Sequence, residues 1–254
     1  MNENKKVKFS MVRFKIFLLI NLFGLMVFIS LEWSSYRKVF ETKNIFVKGN
    51  LILDEKDCFK IIGELKDKKI SKLSSKEISE KLENNSFIKA ARISKQFPNS
   101  INIDIVERKP IAIINNKKQF LIDRESVILP NSDSFVENAL IPMLSGFNPA
   151  NDLYPEGKAT FSIKVKEAIK ILDFIQNNFS EFYDEISELT INKDDEFEII
   201  LSEQPTRVIL GKKDIQMKIN ILKKFGKALG QRQLTDYQLL DMRYSKQLVA
   251  REWI

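Results

Sequence analysis

Residues 101–112 read INIDIVERKPIA. Ile101, Ile103 and Ile105 alternate with Asn102 and Asp104, the period-2 pattern of a strand with one buried face. The alternation runs into Glu107, Arg108 and Lys109, and then into Pro110. Proline has no backbone N–H and pushes the residue before it away from helical geometry, so pairing stops while the chain stays extended. The stretch therefore predicts a boundary between two sheets, with Glu107, Arg108 and Pro110 at a solvated domain junction.

Upstream of that boundary, NIFVKGN (44–50) reads as a strand closed by a Gly-Asn turn. DEKDCFKIIG (54–63) reads as a short helix capped by Asp54 and ended by Gly63. SSKEISEKLENN (74–85) offers Ser74 or Ser75 as N-cap, with Ile78 and Leu82 on one face. FIKAARISKQFPNSINIDIVE then gives two strands hinged at 97–100. In this β-α-α-β-β order, two helices can cover one face of a three-stranded sheet.

Downstream, short strands are predicted at 111–114, 119–123, 127–129 and 140–144. A helix follows over 163–179, where Val165, Ala168, Ile169, Leu172, Ile175 and Phe179 form one stripe. Strands come next at 188–192, 196–201 and 207–210. A second helix over 214–229 aligns Ile215, Ile219, Leu222, Phe225 and Leu229, and strands around 238–244 and 247–253 close the chain. The pattern is that of an α+β domain built on a curved, largely antiparallel sheet with two main helices.

The N-terminal region is of another kind. Residues 16–31, IFLLINLFGLMVFISL, carry no charge and as a helix would span about 24 Å, a little short of a ~30 Å hydrocarbon core. Lys15 and Glu32 can snorkel at the two ends, and Trp33 and Tyr36 suit the interface. Asn21 is the one costly residue, tolerated in place or turned toward a partner helix. A cleaved signal peptide shares the basic start, but SLEWSSYRKVF offers only a poor cleavage site. An uncleaved single-pass anchor is expected. The basic arm (Lys5, Lys6, Lys8, Arg13, Lys15) would lie in the cytoplasm and everything after Trp33 outside. The expected divisions are 1–15 arm, 16–33 membrane helix, 34–40 linker, 41–110 first module and 111–254 second domain.

The formal charge of +7 over 254 residues is concentrated in that arm, which gives no global basic field for nucleic acid. One cysteine rules out an intrachain disulfide, and the absence of histidine removes Ser-His-Asp and Cys-His nucleophile systems and the usual zinc sites. Cys58 reads as a small core hydrophobe. No cofactor or metal is expected.

The order of these parts resembles the bacterial division protein family FtsQ/DivIB. NIFVKGN looks like the first strand of that family's POTRA module. IVERKPIA is similar to its VExxPIA junction, FLIDRESVILP to LVDxxGxVF, LIPMLSG to LPxLxG, and QLLDMRY to VDLRY. Glu125-Ser126 departs from the usual small or Gly turn, and Lys246-Gln247 stands where many members have Gly. The resemblance implies a non-enzymatic scaffold at the division septum, held in the plasma (inner) membrane. It would recruit the coiled-coil partners FtsB (DivIC) and FtsL and so help control septal peptidoglycan synthesis. The POTRA module would serve recruitment and upstream contacts.

A strand near the C-terminus of such a sheet is expected to be an edge, whose free N–H and C=O groups can accept a guest strand. In YQLLDMRYSK, Leu240, Met242 and Tyr244 fall on one face and Leu239, Asp241 and Arg243 on the other. By analogy with the family, Met242, Arg243, Tyr244, Ser245 and Lys246 form the partner-binding strip. Tyr244 is its anchor and Arg243 its partner for acid; the competing reading packs Leu240, Met242 and Tyr244 into the domain's own core.

Two other functions compete. A POTRA-containing chaperone for exported polypeptides would need a long run of transmembrane strands, which the sequence lacks. An anchored cell-wall enzyme could use two carboxylates, and KDDEFE (193–198) is the densest acidic run, but it reads better as a hairpin turn. The lysine-rich stretches KISKLSSKEISEKL and KVKEAIK suit anionic polymer or lipid headgroups, or else are solvated helix faces.

Overall fold

The apolar N-terminal stretch forms one helix, α1 (Glu3–Tyr36), in a computed structural model that describes residues 3–116, 118–131, 140–244 and 247–253. Within it, Phe14–Tyr36 is long and apolar enough to cross a membrane, and its most apolar 18 residues are not buried in the fold. Asn21 satisfies its amide locally, donating to the Phe17 carbonyl at 2.9 Å. Residues 34–36, expected in a linker, continue the helix. The chain then turns at Lys38, which adopts φ 52°. It is fastened at once to the loop around Lys68, where Ile70 N donates to Phe40 O and Thr42 N to Lys68 O, each at 2.9 Å.

The chain divides into two compact units, Met1–Leu82 with Ala90–Val106, and Glu83–Lys89 with Glu107–Ile254. The smaller sheet uses β1 (Asn44–Lys48), β2 (Ile88–Gln96) and β3 (Ser100–Glu107), with helices α2 (Glu55–Ile62) and α3 (Ser75–Glu83) between β1 and β2. Its strand order is β1-β3-β2, and β1 runs parallel to β3 with Asn44 opposite Ser100. The alternation in β3 holds: Ile101, Ile103 and Ile105 are buried and Asp104 is exposed. Ser74 caps α3 by accepting from Glu77 N at 3.2 Å. Asp54 occupies the cap position of α2 without a side-chain bond. After β1, Gly49 takes φ 84° so close to β3 that a Cβ would lie 2.0 Å from the Ile105 carbonyl oxygen.

The second unit is built on a nine-stranded mixed sheet. Its strands are β4 (Pro110–Asn115), β5 (Gln119–Asp123), β6 (Ile128–Leu129), β7 (Met143–Ser145), β8 (Ile186–Ile191), β9 (Phe197–Leu201), β10 (Arg207–Gly211), β11 (Tyr237–Asp241) and β12 (Val249–Glu252). The order is β12-β11-β10-β9-β8-β7-β4-β5-β6. Pairs β4–β7, β7–β8 and β10–β11 are parallel and the others antiparallel. Helices α4 (Ile163–Asn178), α5 (Ser180–Asp184) and α6 (Ile215–Ala228) supply the opposing layer. Val165, Ala168, Ile169, Leu172 and Ile175 of α4 are buried as their spacing requires, together with Ile219 and Leu222 of α6, against Leu189, Ile199, Val208 and Leu240 of the sheet, while Phe179, just past the helix end, is half-buried. Tyr183 reaches through this core to donate to Ile111 O at 2.8 Å, and burial pushes its phenol up to about 12. A smaller cluster of Ile113, Leu121, Val127 and Leu129 is covered by Phe87 and Ile141.

Pro110 opens β4, and of the three charges before it only Lys109 is exposed. Glu107 is 8% exposed, and the Arg108 side chain only 16%. Arg108 Nη1 donates to Asp123 Oδ2 at 2.7 Å and to Glu125 Oε2 at 3.0 Å. Asp123 also closes the β5–β6 turn, its Oδ1 accepting from Glu125 N at 2.9 Å and Val127 N at 2.8 Å. Hydrogen bonds from Lys89 and then Arg108 hold the Glu125 carboxyl below its ordinary range. The turn places Ser126 at φ 63°, a left-handed position that glycine occupies without strain.

Candidate partner-binding edge

A sheet with nine strands has two margins, and only a margin can accept a guest strand. The β6 margin is sealed by its own chain: Ile128 N donates to Lys158 O at 2.9 Å and Gly157 N to Ile128 O at 2.8 Å. The β12 margin is open among the described residues. All four β12 side chains are exposed, Val249 by 50%. β12 pairs on one side only, antiparallel to β11, with Asp241 opposite Val249 and Leu239 opposite Arg251.

This corrects the sequence reading, which placed the edge at the strand containing Leu240. β11 is interior, paired with β10 as well as β12. Met242 is 1% exposed, packs in the main core and donates its N–H to Ile209 O at 2.9 Å, so its side chain is closed to a guest. Leu240 is likewise in the core. Tyr244 is 55% exposed, which keeps it eligible as an anchor. Ser245 and Lys246 lie outside the described residues.

Arg243 has a structural task of its own. Its Nη2 donates to Asp241 Oδ2 at 2.7 Å and its Nε to Asp241 Oδ1 at 3.1 Å, while Nη1 lies 3.6 Å from Glu196. The hydrogen bonds from Arg243 hold the Asp241 carboxyl below the usual carboxylate range, and Asp241 in turn raises the guanidinium. Gly211, at φ 76°, leaves room for this pair: a Cβ there would touch Arg243 Cγ and Lys218 Nζ at 3.4 Å. Lys218 is itself buried and donates to Leu210 O at 2.7 Å.

The far end of β12 is pinned. Arg232 Nη2 donates to Glu252 Oε1 at 2.8 Å and its guanidinium lies 4.8 Å from the Tyr237 ring centroid. Trp253 Nε1 donates to Thr235 O at 3.1 Å. The edge is therefore a short, anchored strand flanked by exposed Arg251, Val249 and Tyr244. Such a surface suits an extended, acidic and partly apolar segment.

The acidic run 193–198 is a turn at 193–195 that leads into β9. Asn192 Oδ1 accepts from Asp194 N at 2.9 Å and Glu196 N at 3.0 Å, and Asn192 Nδ2 donates to Glu198 Oε1 at 2.9 Å. Glu198 also pairs with Arg207. Among the described residues no group of three or more Cys, Asp or Glu is placed to hold a metal ion.

The strand expected around 247–253 is present as β12; what the sequence reading missed is that β12, and not β11, forms the margin, and a signal for that exists. YQLLD places apolar residues on both faces, as an interior strand needs, whereas VARE carries a charge on each face, Arg251 and Glu252, as an exposed margin does.

Comparison with known proteins matches residues 40–108 to the POTRA domain of FtsQ type, and residues 109–251 to the family described as FtsQ/DivIB, C-terminal related. Cell division protein FtsQ of Rickettsia bellii (strain RML369-C) is 39% identical over 88 residues, covering 34% of this chain and 33% of that protein. Cell division protein DivIB of Staphylococcus aureus (strain NCTC 8325 / PS 47) is 28% identical over 106 residues, covering 41% of this chain and 24% of its own. FtsQ of Geotalea daltonii aligns over 214 residues at 21% identity, covering 84% of this chain and 76% of that one. The aligned stretch thus spans about a third or less of the Rickettsia and Staphylococcus relatives.

Proposed function

The chain belongs to the FtsQ/DivIB family of cell division proteins, and from that premise we propose that it is a non-enzymatic membrane-anchored scaffold that binds its partners by strand addition at β12. The partners are extracytoplasmic segments of FtsB/DivIC-like and FtsL-like coiled-coil proteins. α1 holds the chain in the membrane with its basic arm in the cytoplasm, and septal peptidoglycan synthesis is linked through the assembled complex.

The observation that carries this reading is the asymmetry of the two sheet margins, one closed by its own loop and the other open. Main-chain bonds to β12 supply affinity, and Val249, Arg251 and Tyr244 select the guest. Arg243 is a poor test position, because reversing its charge also breaks the pair with buried Asp241. Arg251 and Val249 are exposed and make a cleaner one. The doubly substituted Val249→Asp/Arg251→Glu chain, reconstituted full length, is expected to lose about tenfold or more in affinity for an FtsB-like partner, with an unchanged melting temperature. Tyr244→Ala is expected to weaken binding in the same direction. Unaltered dissociation constants in both variants would dismiss the β12 reading.

A further inference from the structure

We propose that a cavity at the outer end of α1 seats the headgroup of an anionic phospholipid and holds the smaller sheet unit against the bilayer surface; the inference rests on the reading of α1 as a membrane anchor. The cavity, about 380 Å³, is bounded by Leu31 and Ser34 of α1, Lys38 of the turn, Lys69 and Ser71 of the loop, and Phe97 of the β2–β3 turn.

Its position is set by the helix. Leu31 belongs to the apolar span, and Trp33 and Tyr36 beside it are 59% and 85% exposed, the residue types that mark the headgroup layer. The Arg37 guanidinium lies 5.7 Å from the Trp33 ring centroid. A cavity walled by Leu31 therefore opens at headgroup depth.

Its chemistry fits a phosphodiester with an apolar tail. Lys38 and Lys69 supply ammonium groups, and the buried Ser34 Oγ has no hydrogen-bond partner among the described residues. A phosphate oxygen would accept from all three. Glu41 also lines the cavity and pairs with Lys38 at 3.2 Å, so Lys69 carries the net positive charge of the seat. Phe97, 64% exposed, and Leu31 give the cavity the apolar wall that an acyl chain meets and a soluble anion does not.

The surroundings carry a matching charge. KDKKISK (66–72) has four exposed lysines against Asp67. Backbone bonds hold that loop to the segment leaving α1, including Asp67 N to Thr42 O at 3.0 Å. The lysines are thereby kept close enough to the interface, relative to a screening length of about 8 Å, to feel an anionic leaflet. This gives a role to the lysine-rich stretch that partner binding at β12 leaves unused.

The test uses the full chain in nanodiscs of phosphatidylcholine alone, or with phosphatidylglycerol added, read by amide hydrogen exchange. Exchange over 66–72 is expected to slow several-fold in the anionic discs. High salt, or Lys69→Glu/Lys72→Glu, should abolish the slowing while β3 stays protected. Lys69→Gln should retain part of it. Equal exchange in the two kinds of disc, with the chain retained in both, overturns the proposal. So does equal slowing by glycerol phosphate added to the neutral discs, which would mark a soluble-anion site. Release of the chain from both kinds of disc would refute the anchor reading and this inference with it.

Discussion

Met242 and Tyr244 sit two positions apart in a segment whose pattern gives them the same face, yet one is in the core and the other in solvent. The strand ends at Asp241, after which the alternation no longer holds the side chains to the sheet. Met242→Ala is therefore a packing substitution. It should destabilise the domain by about 2–4 kcal/mol in denaturant titrations. A stability unchanged to within error would return Met242 to the surface. Asp241 gives a pH-dependent counterpart. Arg243 lowers its folded pKa, so the folded state favours the ionised form and the unfolded chain takes up the proton first. The stabilisation is present above the ordinary carboxylate pKa of about 4 and is lost as pH falls through the lowered value. Asp241→Asn should flatten that acid limb of the stability profile; an unchanged slope below about pH 4 would mean that the pair contributes nothing to folding.

At the scale of elements, helices and strands followed from periodicity, and the places where reading failed were matters of neighbourhood. The α4 stripe, the Ser74 cap and the alternating isoleucines of β3 are each fixed by local chemistry, and each stands in the structure. Strand order is not local. Whether β11 or β12 lies at the margin depends on β10 pairing parallel to β11 across α6, and no residue of YQLLD announces that crossover. Arg108 of ERKP looked solvated because its acceptor, Asp123, is 15 residues away. Gly49 shows an element boundary set by contact: its absent Cβ leaves space for the Ile105 carbonyl. Gly49→Ala combines a left-handed φ with that overlap, and should cost about 2 kcal/mol or more. Thermal unfolding of the smaller unit would report it, and an unshifted midpoint would show that the turn can relax.

Across the whole molecule, the nine-stranded sheet is laid down from a single margin. After the β4–β5–β6 meander is complete, β7 joins beside β4, and β8, β9, β10, β11 and β12 each join beside the strand placed before them. Removing residues 247–253 would expose β11, whose Leu239 and Leu240 make an apolar margin in place of the charged one. Such a shortened chain should self-associate in light scattering where the full chain does not; a monodisperse product would show that β11 needs no cover.

The one-sided construction also bears on biogenesis. A chain that folds in the order of its synthesis would, from β7 onward, offer its newest strand as the docking place for whatever arrives next. Until β12 has emerged, that arrival is best supplied by the chain itself. A foreign segment that pairs earlier would have to compete with the chain's own next strand, so the order of the sheet disfavours outside pairing until β12 is in place.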